Sequence, residues 1–181
     1  MGEIRCGTTE VIEMKYKVGD QIVYGNTGVC IIRDIAAAEN IGQDSGRLYY
    51  VLKPLDQECV IYTPIDTKVF MRPVISAAEA ERLIDGIPAI RAEAYYSNHA
   101  QELVQYYESF LKTHNCAHII ELAMSLYLKK QIAQQNNRKF GMVDERFMKQ
   151  AEEILYGEFS LALGIPKDRV QGYIASRVGE I

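Results

Sequence analysis

Tryptophan is absent from this chain of 181 residues, and histidine occurs only three times. Without an indole, the side chain with the best stacking and cation–π surface is missing. Any aromatic recognition has to rest on the twelve tyrosines and five phenylalanines. Cysteine is sparse as well: Cys6, Cys30, Cys59 and Cys116, with no pair in CxxC spacing. That spacing excludes a thioredoxin-type redox motif and a zinc ribbon, and a disulfide framework does not suit a chain of this length. Reduced cysteines are expected, with Cys30 and Cys59 buried in strands. No apolar run approaches the ~20 residues of a membrane span. The N-terminus lacks the apolar core of a signal peptide, so a cytoplasmic location is expected. Charge of one sign is not in excess either: 20 Lys and Arg against 24 Asp and Glu give a formal charge of −4. A polycation that coats nucleic acid is thereby excluded, and nucleic-acid contact would need a local patch.

Reactive constellations are missing too. There is no Gly-rich phosphate loop followed by Lys and no Gly-x-Ser-x-Gly elbow. Glu152-Glu153 lies opposite an apolar helix stripe, which suits a solvated face better than a catalytic pair. His114-Asn-Cys116-Ala-His118 offers two His and a Cys within five residues, but no second ligand cluster accompanies it and it spans a helix break. No catalytic residue, metal or cofactor is expected.

The hydrophobic share of 48% is enough for a packed core. Residues 1–13 carry no clear period and read as an N-terminal extension ahead of Met14. Residues 14–74 alternate short β-branched and aromatic runs with turn residues. Strands are expected at Ile22–Tyr24, Val29–Ile35, Leu48–Leu52, Cys59–Thr63 and Val69–Arg72. Together they predict a small SH3- or Tudor-like β-barrel head.

The period changes at Ser76, where Ser76-Ala-Ala-Glu79 has the form of a capping box. Residues 75–181 read as an all-α part of about five helices. The first stops at Gly86 and Pro88, and a long helix spans Ala89 to Lys112. A third runs over Ala117–Gln135. A fourth starts near Val143, with Met148, Ala151, Leu155, Phe159 and Ala162 on one face, and ends at Gly164. Pro166 opens the last in the favoured first-turn position. The fold class is therefore α+β, a β head followed by a helical tail.

Three features suggest binding. Lys129, Lys130, Arg138 and Lys139 form a run of basic residues with no acid between Glu121 and Asp144, extended by Arg146 and Lys149. They form the best phosphate-contacting surface in the chain. Tyr96 and His99 lie in a polar stretch of the predicted long helix. The head offers strand edges at Arg47–Leu52 and Cys59–Thr63, where Tyr62 stands out, and a partner's strand could add there.

These residues also support a resemblance. Lys17-Val-Gly-Asp-x-x-Val-Tyr24, with Gly28 after it, resembles the opening of the CarD/CdnL family of bacterial transcription regulators. Tyr49-Tyr-Val-Leu52 and the strand ending in Pro64 match that family's head. Phe140-Gly-Met-Val-Asp-Glu-Arg-Phe-Met is similar to the start of its signature helix, and the likeness continues through Ile154-Leu-Tyr-Gly-Glu-Phe to Ala162. The resemblance implies a head that docks on the β subunit of RNA polymerase. It also implies a helical part that touches promoter DNA at the upstream edge of the bubble and stabilises the open complex, without ATP or metal. The family's wedge tryptophan falls near Tyr96 to Ala100 here, so Tyr96 or His99 takes its place. The family's polymerase-facing arginines fall near Ala38 and Tyr62 and are missing, leaving backbone pairing with Arg47, Ile61 and Tyr62. The expected DNA-contacting set is Tyr96, His99, Lys129, Lys130, Arg138, Lys139, Arg146 and Lys149. The alternative is a protein-only adaptor whose head binds a strand edge and whose tail recognises another protein. A monomer is expected, with strand exchange between chains as the route to a dimer.

Overall fold

Short strands separated by short connections build one antiparallel sheet. The computed structural model describes residues 14–42 and 46–179; the predicted extension over residues 1–13, with Cys6, lies outside the described residues. The strands are β1 (Gln21–Tyr24), β2 (Gly28–Ala37), β3 (Leu48–Pro54), β4 (Ile61–Pro64) and β5 (Met71–Pro73), in the order β4-β3-β2-β1-β5. The β1–β2 hairpin closes through Gly25 and Gly28 at φ 45° and 89°, where L side chains are strained. The long β2 pairs with β1 through Ile22↔Cys30 and with β3 through Ile32↔Leu52. A register shift between Ile32 and Asp34 bends it. The inward face packs Tyr16, Ile22, Cys30, Ile32, Tyr50 and Leu52.

The sheet is open, where a barrel was expected. Each edge strand has one partner, β4 on β3 and β5 on β1. With only three residues, β5 does not continue round to meet β4. Cys59 also departs from expectation. It is exposed and precedes β4, whereas Cys30 is fully buried.

Helices α1 (Ala77–Gly86), α2 (Ala100–Leu111), α3 (Cys116–Gln135), α4 (Met142–Leu163) and α5 (Lys167–Val178) follow, with a short 3-10 turn at Ile87–Ala89. Ser76 caps α1 by accepting from the Glu79 amide at 3.2 Å. The Glu79 carboxylate does not reach back; it pairs with Arg82 at 2.6 and 2.9 Å. Pro166 stands at the N-cap of α5, one place before the first turn. Gly164, at φ 65°, ends α4.

The predicted helix over Ala89–Lys112 forms only from Ala100. Residues 91–99 run as an irregular strap. Tertiary contacts hold it: the Tyr95 ring stacks on Tyr106 at 3.9 Å between centroids, and the Ser125 hydroxyl donates to the Glu93 carbonyl at 2.6 Å. Packing of the strap against α2 and α3 overrides local propensity. The helical core gathers Ile84, Tyr107, Leu122, Leu126, Phe147 and Phe159. Met148, Ala151, Leu155 and Phe159 are buried in it, as the stripe predicts, with Ala162 packed at its margin.

Sheet and helices meet at an ion pair between a buried carboxylate and a partly buried guanidinium. Glu158, on α4, is wholly inaccessible. The Arg72 guanidinium, on β5, grips it with both terminal nitrogens, Nη2 donating to Oε2 at 2.8 Å and Nη1 to Oε1. The Ile75 amide donates to Oε1 at 3.1 Å, and the Cys116 thiol to Oε2 at 3.0 Å. Arg72 Nε donates to the His114 carbonyl at 3.0 Å. Burial disfavours the arginine's charge, but hydrogen bonding and attraction to Glu158 outweigh it and raise its pKa. Burial and then the charge of Glu158 push the Cys116 thiol up to about 12, so it remains a proton donor. Beside the pair, the His114 ring stacks on Phe70, centroids 4.4 Å apart. Lys167 adds an outer tie, bridging Asp56 of the β3–β4 loop and Glu153 of α4 at 2.7 and 2.5 Å. That exposed bridge contributes little.

Arg72→Ala would leave Glu158 buried without its counter-charge. The expected loss of unfolding free energy is about 3–5 kcal/mol, with much of it restored by the double change Arg72→Met, Glu158→Met. Urea denaturation measures both, and a loss under about 1 kcal/mol for Arg72→Ala would mean the junction is tied elsewhere.

Candidate partner-binding edge and nucleic-acid face

The outer edge of β4 has unused backbone groups. The Ile65 amide donates to the Leu48 carbonyl at 3.1 Å. Backbone direction alternates along a strand, so Thr63 and Ile61 also face β3, and the amide and carbonyl of Tyr62 face outward. The Tyr62 side chain is about half exposed, at 51%. Ile61 points inward and packs on the core of the sheet. Thr63 is buried and accepts from the Tyr24 hydroxyl at 3.1 Å. Arg47 is exposed just before β3, its carbonyl taking the Ala38 amide at 2.8 Å. Ala38 itself is fully buried, so that position offers no side chain to a partner.

The basic residues divide in two. Lys129 is buried. Its Nζ lies 2.8 Å from Asp144 Oδ1 and 3.1 Å from the Tyr107 hydroxyl, which itself donates to Asp144 Oδ1 at 2.6 Å. Burial, then the bond to Asp144, raises the pKa of Tyr107, so it stays a neutral donor. This corrects the expectation for Lys129: its charge is neutralised inside the helical part and is not offered to a phosphate. The Tyr96 ring covers it, with Nζ 4.9 Å from the centroid.

Tyr96 is 58% exposed. Its ring lines a cleft of about 120 Å³ with Ile132, Arg138, Lys139 and Phe140, floored by Lys129 and Asp144. The strap thus places the aromatic beside the two exposed cations of the α3–α4 turn. That turn is set by Asn137 at φ 51°, a conformation asparagine tolerates. Among the described residues, neither Arg138 nor Lys139 forms an ion pair.

The other predicted residues are dispersed. His99 is exposed at the N-cap of α2 and does not line the cleft. Arg146 is exposed, its guanidinium 4.8 Å from the Phe147 centroid. Lys149 pairs with Glu145 at 3.1 Å. Lys130 lines a neighbouring depression with Lys139, Lys149 and Glu145. The histidines and cysteine near residue 116 are likewise apart in role. His114 stacks on Phe70, Cys116 bonds Glu158 and His118 is exposed. No cluster of metal-ligating side chains occurs among the described residues.

Comparison with known proteins bears on the sheet. Residues 16–75 match the family model described as CarD-like/TRCF RID domain. The head belongs to this family. The match takes in all five strands and ends at Ile75, whose amide bonds Glu158. The family consists of RNA-polymerase-interacting domains of transcription factors. No curated protein matches the chain. Among the described residues, no helix is long and apolar enough to cross a membrane.

Sequence reasoning missed Arg72, Tyr107, Asp144 and Glu158. One signal was available for Glu158, which falls between Leu155 and Ala162 on the apolar stripe of α4, where a carboxylate must be buried and paired. Lys129→Met should destabilise the chain by about 3–5 kcal/mol, because Asp144 loses its counter-charge. Thermal unfolding and DNA binding are to be measured on the same variant. Unchanged stability with weakened DNA binding would make Lys129 a phosphate ligand after all.

Proposed function

We propose that this chain is a transcription regulator that docks on the β subunit of RNA polymerase through the free edge of β4. Tyr62 supplies the outward amide and carbonyl, and Arg47 and the Tyr62 ring flank them. The helical part contacts promoter DNA near the edge of the melted bubble. The observation that carries the DNA contact is the placing of the exposed Tyr96 ring beside Arg138 and Lys139 in one cleft. An aromatic face offers stacking of about 1–3 kcal/mol to an unpaired base, while the two cations take flanking phosphates. Lys130, which lines the neighbouring depression together with Lys139, extends the cationic surface. Two principal phosphate contacts imply weak, sequence-independent and salt-sensitive binding, so the polymerase supplies the placement. By holding melted DNA better than closed DNA, the protein shifts the melting equilibrium, as any differential binder does.

A protein-only adaptor is the second reading. The formal charge of −4 and the loss of Lys129 from the basic face favour it. Footprinting of promoter opening, with and without the full chain, separates the two.

Tyr62→Pro removes an amide that β3 does not use, so the fold should hold. Capture of polymerase by the full chain should then fall by at least about tenfold. Unchanged capture would rule out strand addition at β4. On the DNA side, Arg138→Ala with Lys139→Ala should reduce the slope of log affinity against log salt by about 1.8 for duplex. Tyr96→Ala should weaken, and Tyr96→Trp strengthen, binding to a fork junction, read by anisotropy. An unaltered salt slope would remove the DNA contact from the proposal.

A further inference from the structure

A second cleft lies on another face of the helical part, between α3, α4 and α5. It has a volume of about 330 Å³, within the range of small-molecule sites. Ile120, Met124, Leu155, Phe159 and Ile174 are among its apolar lining residues. Its polar end holds Glu152 with Tyr127, Tyr156 and Gln171.

Glu152 differs from the other acids of α4. Asp144 is paired with Lys129, Glu145 with Lys149, Glu153 with Lys167 and Glu158 with Arg72. Glu152 has no basic partner among the described residues. Its one bond is from the Tyr127 hydroxyl to Oε1 at 2.6 Å. Lys130 and Lys149 border the neighbouring depression, which Glu152 also lines, but neither pairs with it. The carboxylate is half-buried, so its charge is partly desolvated and a counter-charge there is worth more than at the surface. Burial, and then Glu152, raise the pKa of both neighbouring phenols, so they remain neutral. Their rings are the kind of surface that accepts an ammonium.

We propose that this cleft binds a small apolar amine, with the ammonium on Glu152 Oε2 between Tyr127 and Tyr156 and the hydrocarbon along the α3–α5 wall. A fatty anion has the right shape but the wrong charge, and an alcohol of equal length lacks the charge.

Isothermal titration of the full chain with n-octylamine, 1-octanol and octanoate at neutral pH tests this. The amine should bind about tenfold more tightly than the alcohol, as expected for a charge-assisted bond, and octanoate should be weakest. Glu152→Gln should bring the amine to the level of the alcohol without changing the alcohol. Ala175→Trp, at the exposed rim, should weaken amine and alcohol together, with helicity checked by circular dichroism. Absence of amine binding, octanoate binding as well as the amine, or an amine affinity unmoved by Glu152→Gln would each overturn the proposal. Since Glu152→Gln leaves the β4 edge and the Tyr96 cleft intact, its outcome is independent of polymerase and DNA binding.

Discussion

The Arg72–Glu158 ion pair is the interaction on which the arrangement of this molecule depends. It joins the last strand of the sheet to the middle of α4, and it draws in the Ile75 amide, the Cys116 thiol and the His114 carbonyl. A wholly buried carboxylate would be intolerable without these partners. The same partners come from the sheet, the α2–α3 turn, the start of α3 and the segment leading to α1. One charge therefore fixes where four parts of the chain can sit. Burying two charges yields little net stability compared with an apolar pair. What it does supply is geometric demand, because only one orientation of the guanidinium satisfies both carboxylate oxygens.

That orientation matters because the pair joins the two parts that carry the proposed contact surfaces. The β4 edge belongs to the sheet and the Tyr96 cleft to the helices. A regulator that touches a polymerase with one and DNA with the other needs a set distance between them. A loose linker would allow either contact without coupling them. Here β5 leads into α1 through Val74, Ile75 and Ser76 alone, and the ion pair, the Phe70–His114 stack and the Lys167 bridges span the rest.

Charge burial also divides the basic residues by task. Lys129 is enclosed with Asp144, Arg72 grips the buried Glu158, and both hold structure. Arg138 and Lys139 sit on a turn and stay in water. In Lys129 the two tasks touch, since its ammonium lies under the Tyr96 ring and helps set the face that ring presents. A reading of basic residues by proximity along the chain groups Lys129 and Lys130 with Arg138 and Lys139, because position alone carries no information on burial.

The elements with strong local signals were legible. The Ser76 cap, the Gly164 stop, the alternating strands and the stripe of α4 are each written within a few residues, and local hydrogen bonding and periodicity decide them. The head motif from Lys17 was enough to point to the family that the match over residues 16–75 bears out. The strap over residues 91–99 was not legible, because its sequence is compatible with helix and tertiary contacts, among them the stacking of Tyr95 on Tyr106, the bond from Ser125 and the Tyr96–Lys129 contact, hold it extended. Closure of the sheet was not legible either, since it depends on whether β5 reaches β4 across a gap that no local pattern measures. By itself the sequence determined the α+β class, most element boundaries and the polymerase-interacting kind of the head. Only the tertiary structure decided which charges are paired and which are free, because ion pairing is set by separations in space between residues such as Arg72 and Glu158 that lie far apart along the chain.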